Sequence, residues 1–267
     1  MLQPNLFNTI IIFPILNLLV SFYHVFLFLK IPGAFGLAII SLTVFIRFIL
    51  NPFFKQQLET AKKMQDMKPQ LDVLSVKYKK EPQKLQQEQL RLYKEAGINP
   101  ASGCLFMIIQ IPVFIGLYNT LSVFLLNGHT AKVIADINKV LYSPLLKIQT
   151  IDPWFLGFNL ITTPQKGGQW YYYLIPLITG VLQYLQVQTS MPSSTTAAVV
   201  PATSSEGDKN KKVDSTGDFQ KAMNTQMKYI FPLMIGWFSF TLPVGLSLYW
   251  NIFSLFSIIQ SKQLKTK

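Results

Sequence analysis

Residues 34 to 51 read AFGLAIISLTVFIRFILN, and Pro52 follows at once. At about 1.5 Å per residue these eighteen residues make a helix of about 27 Å, just enough to cross the hydrocarbon of a bilayer, and the proline closes it. Four more apolar stretches lie further along: about Gly103 to Leu126, Trp170 to about Gln188, Tyr229 to Leu242, and Leu246 to Gln260. Only Pro243, Val244 and Gly245 separate the last two, a breaker group that suits a tight helical hairpin. Half of the 267 residues are hydrophobic and 13% are charged, against roughly 25% charged in an average soluble domain. The expected fold is therefore an all-α integral membrane protein with a core of five transmembrane helices, and a disordered or ordinary water-soluble chain is excluded. Cys104 is the single cysteine and His24 and His129 are the only histidines, so neither an intramolecular disulfide nor a Cys/His metal site is expected.

Lys and Arg number 24 against 12 acids. Such an excess suits a nucleic-acid surface, an anionic membrane surface or cytoplasmic loops, and the placement of the charges decides among them. Ten lie between the first two spans (Lys55, Lys62, Lys63, Lys68, Lys77, Lys79, Lys80, Lys84, Arg91, Lys94), five between the third and fourth, and three after Gln260. The opposite side carries five: Lys30, Lys132, Lys139, Lys147 and Lys166. The positive-inside rule then puts the N-terminus outside and the large polar segment and C-terminus in the cytoplasm. Topology accounts for most of the basic excess, which weakens a nucleic-acid reading.

The expected organisation is an interfacial amphipathic region over 1–33, a first transmembrane helix at 34–52 and a cytoplasmic helical hairpin at 53–102. A second transmembrane helix covers 103–126, an extracytoplasmic loop 127–169 and a third transmembrane helix 170–189. A flexible cytoplasmic linker takes 190–228, the fourth and fifth transmembrane helices 229–260, and a cytoplasmic tail 261–267. Residues 5–29 are long enough to cross, yet Asn17, Ser21 and His24 give them a polar stripe and Pro14 interrupts them, so they are read as lying along the outer surface. They carry neither the charged start nor the cleavage site of a secretory signal. In the hairpin, Met64, Met67, Leu71, Leu74 and Tyr78 alternate spacings of three and four, and Leu85, Leu92 and Ala96 follow after Glu81-Pro82. Two antiparallel helices are expected there, with Pro69 a kink or a restart. So long a connector usually carries function. Residues 190–218 are rich in Ser, Thr, Pro and Ala and read as an insertion without a dedicated role.

Arg47 is the lone charge inside a span, and burying it costs roughly 2.5–3.5 kcal/mol on insertion scales. Three readings account for it. It could snorkel to the headgroups, lying only about 7.5 Å along the helix from Pro52; it could donate structural hydrogen bonds to helix ends or backbone carbonyls; or it could line a water-accessible polar cavity. The last is favoured, because Thr43 lies one turn earlier on the same face and the other spans offer Gln110, Asn119, Gln183, Ser239, Thr241, Ser247 and Asn251. All twelve acids fall in loops. That argues against proton-coupled transport and against an intramembrane aspartyl protease or metalloprotease, and neither histidine lies near the polar serines of the spans. No enzyme activity, catalytic residue, metal or cofactor is expected. An unpaired cation in a wet pocket open to the cytoplasm outlines an insertase. A small-solute transporter or channel stays open as the alternative, though no repeated half is visible. A membrane-anchored ribosome or RNA tether built on the basic hairpin is a third reading.

The runs FIRFILNPFFKQQLETAKKMQDMKPQL (Phe45 to Leu71), NPASGCLFMIIQIPVFIGLY (Asn99 to Tyr118) and FPLMIGWFSFTLPVGLSLYWNIFSLFSIIQ (Phe231 to Gln260) resemble the YidC/Oxa/Alb membrane protein insertases, from about Phe13 onward. The resemblance implies a five-helix core with a hydrophilic groove open to cytoplasm and lipid and closed toward the outside. Arg47 takes the place of the groove arginine; Gln110, Ile111 and Pro112 fall on the substrate path, as do Tyr249, Trp250 and Asn251 in the last helix, and the polar residues of the spans noted above add Thr43 and Gln183 to the expected groove set. It further implies a cofactor-free monomer of a bacterial cytoplasmic membrane that inserts and helps fold nascent membrane proteins. Its partners would be the ribosome, the Sec translocon, the signal recognition particle or its receptor, and anionic lipids. Against the family pattern, the loop from Asn127 to Gln169 is long and the 190–218 linker is an expansion. The tail after Gln260 is seven residues, which leaves hairpin and linker as the expected ribosome contacts.

Overall fold

The computed structural model describes the backbone of residues 2–78, 81–97, 101–127, 131–190 and 226–265, with the side chains of 68, 101–110, 126–127, 190, 227 and 264–265 left aside. Helix α1 (Phe13–Phe28) opens with a π-helical turn at Asn8–Ile12, and α2 (Ala34–Ile49) follows a left-handed Gly33. Three helices form the polar segment: α3 (Asn51–Asp66), α4 (Lys68–Lys77) and α5 (Pro82–Glu95). Beyond them come α6 (Ala101–Asn127), α7 (Ala131–Val140), α8 (Leu174–Ser190), α9 (Phe231–Thr241) and α10 (Val244–Lys265). Among the described residues, Asn8–Phe28 and Val244–Gln263 are each long and apolar enough to cross a membrane. The pair α2 and α3 meets the same test together, bent by 63° where they join, and Ile111–Leu125 is a shorter apolar helix. The chain is an all-α membrane protein whose only described sheet is a two-strand hairpin.

The apolar faces explain the packing. Helix α1 lays Leu16, Leu19, Val20 and Tyr23 against α2, which answers with Phe35, Ala38, Ile39 and Leu42. Length and composition thus permit α1 to cross, the course set aside above in favour of the outer surface. Helix α8 packs between α9 and α10, and α10 also packs on α2. Small residues let the backbones of α8 and α9 approach: a Cβ on Gly236 would stand 3.3 Å from the Gly180 Cα and from the Pro176 carbonyl oxygen. With lipid as solvent no hydrophobic drive pulls helices together, so close backbone contact and interhelical hydrogen bonds do that work. Ser239 Oγ shares a 2.7 Å hydrogen bond with Ser247 Oγ and donates to Thr179 Oγ1 at 3.3 Å, while Ser254 Oγ donates to Gln183 Oε1 at 2.6 Å. Those contacts tie α8, α9 and α10 into one unit.

Residues 141–173 fold over one end of the bundle. Strands β1 (Trp154–Phe155) and β2 (Phe158–Asn159) pair through a turn in which Leu156 and Gly157 both have positive φ, the two-residue turn that matches strand twist. The Phe155 ring rests where a side chain on Gly33 or Gly36 would have to be. The stripe on α1 faces this loop: Asn17 Nδ2 donates to the Val140 carbonyl at 3.0 Å, Asn17 Oδ1 accepts from the Tyr142 N–H at 2.7 Å, and His24 Nε2 lies 3.0 Å from the Leu146 carbonyl. At the start of α10 the Val244 and Gly245 N–H groups donate to the Thr162 and Leu160 carbonyls at 3.0 and 2.8 Å, meeting the need of a helix end for outside acceptors.

The hairpin holds three helices, with Pro69 a restart and not a kink. Pro69 lies in the first turn of α4 and restarts the helix after Met67, because proline lacks the N–H that a continuous helix needs but suits a first turn. Met67, Leu71 and Tyr93 form its small core, with Met64 and Leu92 alongside. Four of these five lie on the expected seams; Tyr93 does not. The 190–218 linker falls outside the described residues, apart from the end of α8.

Candidate functional site

Arg47 comes from the last turn of α2 and is 2% exposed. Its Nη2 donates to the Phe253 carbonyl at 2.9 Å and to Ser257 Oγ, both on α10. The guanidinium carbon sits 3.5 Å from the centre of the Phe253 ring and 4.0 Å from that of Phe54, the first a residue of α10 and the second of α3. A desolvated cation–π contact of this kind is worth about 2 kcal/mol or more, which offsets part of the cost of burying the charge. All these partners are neutral, and among the described residues Nε and Nη1 are buried with no hydrogen-bond partner. Thr43, 2% exposed, turns its hydroxyl back to the Ile39 carbonyl at 2.7 Å, so it is satisfied within its own helix.

Beside Arg47 lies a cavity of about 10 Å³, with room for about one water. Its lining comes from four helices: Thr43 and Ile46 of α2, Phe54 of α3, Val113 and Leu117 of α6, and Tyr249 and Phe253 of α10. Of the residues singled out in the sequence, Arg47, Thr43 and Tyr249 meet here. Trp250 lies nearby, its ring stacked on Phe114 of α6 with centroids 6.3 Å apart and planes within 7°. Gln183 is engaged elsewhere, by Ser254, and Asn251 keeps a buried carbonyl oxygen with no partner among the described residues. Ile111 is exposed and Pro112 half-buried on the apolar stretch of α6, while the Gln110 side chain lies outside the described residues. The sequence reading missed Phe54, Phe253 and Ser257. The i, i+4 spacing of the last two places them on one face of α10, but nothing in a chain with 21 phenylalanines marks the two that flank the guanidinium.

The site is thus a buried cation with neutral partners, set where the bend between α2 and α3 leads into the charged hairpin. Sequence comparisons carry the assignment further. A family profile described as "60Kd inner membrane protein" matches residues 26–267. The chain is 31% identical to "Membrane protein insertase YidC" of Alkalihalophilus pseudofirmus over 279 aligned residues, covering 98% of this chain and 86% of that one. It is 28% identical to the protein of the same name from Oceanobacillus iheyensis, covering 97% of this chain and 85% of that one. "Inner membrane ALBINO3-like protein 2, chloroplastic" of Chlamydomonas reinhardtii is 34% identical over 88% of this chain, which spans about half (51%) of that relative's length. The chain belongs to this family, the YidC/Oxa/Alb family to which its motifs point. With its apolar helices, that membership supports an inner-membrane protein of bacterial type.

Proposed function

We propose that the chain is an insertase and chaperone for nascent membrane proteins in a bacterial cytoplasmic membrane. The observation that carries the reading is Arg47: a buried guanidinium with neutral partners and two nitrogens left without any among the described residues, in a family whose bacterial relatives bear the name insertase. Helices α2, α6, α8, α9 and α10 form a five-helix core, with α1 on the outer surface, the N-terminus outside and the C-terminus in the cytoplasm. A hydrophilic groove centred on Arg47 opens toward cytoplasm and lipid. A client's polar flank enters it from the cytoplasm, and an acidic group there exchanges water for the guanidinium. Apolar client residues leave into lipid along α6 at Gln110, Ile111 and Pro112 and along α10 at Tyr249, Trp250 and Asn251, with Gln183 behind them. Partition of the client helix into hydrocarbon supplies the driving force, so neither cofactor nor covalent chemistry is required. The α3–α5 hairpin receives ribosome-bound chains, and the Sec translocon, the signal recognition particle or its receptor, and anionic lipids complete the partners of a functional monomer.

Site-specific photocrosslinking from positions 110 and 249 to a stalled ribosome-bound membrane protein tests this path. Crosslinks at both positions that fall when Arg47 is replaced by Ala are expected. Crosslinks confined to residues 53–97 would replace the groove with a ribosome-docking role. Labelled solute passing through the purified protein in vesicles would favour the channel reading.

A further inference from the structure

We propose that Phe54 is the positioning residue that governs access to Arg47, so that movement of the cytoplasmic hairpin opens the client site by lifting this one side chain. The inference rests on the insertase reading and deepens it. A cavity of about 10 Å³ cannot admit a carboxylate and the chain that bears it, so at least one wall has to move. Helices α2 and α10 are clamped together at this point by the bonds from Arg47 to the Phe253 carbonyl and to Ser257. Helix α6 contributes Leu117, which is continuous with the main core through Leu121 and Phe124. The remaining wall is Phe54. It is the one buried side chain of α3, which leaves α2 at 63° across the break at Leu50.

The hinge has the means to turn. The Phe53 and Phe54 N–H groups both donate to the Leu50 carbonyl at 3.1 Å, so the first turn of α3 keeps its backbone bonds when the helix swings away from its packing on α6 and α10. Besides Phe54 and the packing of α3 on α6 and α10, a hydrogen bond from Gln260 Nε2 of α10 to Asn51 Oδ1 at 2.8 Å clasps this end of α3. Rotation about Leu50 withdraws the Phe54 ring from the guanidinium and widens the cavity beside it, where Nε and Nη1 stand without partners among the described residues. Phe253 stays behind as a rigid backing, so the arginine is presented to the cytoplasm without losing its place. Client arrival at the hairpin and exposure of the cation are thereby one motion.

The test uses the full chain in vesicles with Cys104 replaced by Ser and a reporter thiol in the cavity wall, Leu117→Cys or, as a second reporter, Val113→Cys. The rate of modification by a charged, membrane-impermeant thiol reagent is measured for each. With Phe54 in place the thiol is expected to react slowly. Phe54→Ala raises the rate on the order of tenfold, as loss of a desolvated cation–π cover implies. Phe54→Trp restores slow labelling, and Phe54→Leu, which covers the site without a π face, falls between. An unchanged rate in Phe54→Ala overturns the latch, and so does equal slowing by Leu and Trp. Crosslinking from position 249 to a nascent chain is scored in the same variants. A latch that fails while crosslinks persist leaves the insertase standing, whereas loss of Arg47-dependent crosslinks with the latch intact removes the client reading instead.

Discussion

The guanidinium of Arg47 touches two rings and is tethered by one nitrogen, so its charge and its shape can be separated by substitution. Lysine keeps the charge but neither stacks as a plane nor reaches two acceptors as a fork. Arg47→Ala is expected to impair clients with acidic outer segments most, and Arg47→Lys to fall in between, as read by protease protection of the client in a strain depleted of its own insertase. Normal insertion of acidic clients by Arg47→Ala would remove the groove from the account. Asn17 offers a second residue-scale test, because it holds both the Val140 carbonyl and the Tyr142 N–H. Asn17→Leu leaves both without it, at about 1–3 kcal/mol each if they stay buried; the measurement is faster proteolysis within residues 141–152. Arg47 stood out in the sequence because a lone charge in an apolar run demands an explanation. Ser257 did not, since one hydroxyl among many carries no mark until the fold puts it beside a cation.

Among the elements, contact between α8 and α9 depends on having no side chain at 180 and 236. Gly236→Leu would drive a branched side chain into the Gly180 backbone and the Pro176 carbonyl, an overpacking cost of about 1–3 kcal/mol. A lowered thermal midpoint in detergent, with Gly236→Ala affected less, is the expected result. Two apolar runs coincide with helices: the stretch from Tyr229 to Leu242 contains α9 (Phe231–Thr241), and that from Leu246 to Gln260 lies within α10 (Val244–Lys265). Composition sets those positions because a helix in lipid has to be apolar nearly throughout. The hairpin was harder to read: its two seams include Met64, Met67, Leu71 and Leu92 of the small core, but Tyr93, which joins that core beside Leu92, lies off the spacing of the second seam. The polar stripe on α1 was visible in the sequence but its partners were not: Asn17 and His24 meet backbone groups far along the chain, at Val140 and Leu146.

For the molecule as a whole, charge asymmetry fixes the proposed orientation. A cysteine at the exposed position of Leu145 should then be labelled on intact cells by an impermeant reagent, and one at the exposed position of Lys84 only after the membrane is opened. The reverse pattern would invert the topology and carry the Arg47 path with it. The outer loop has a bearing on how such a chain is made. The N–H groups that open α10 are met by the Leu160 and Thr162 carbonyls, which leave the ribosome well before α10 does. In the proposed orientation the last helix would find the fitting for its leading end already built and already across the bilayer. Insertion of α10 would then be templated by residues 141–173, and a chain in which they lag on the wrong side would present α10 to the membrane with its first backbone donors bare.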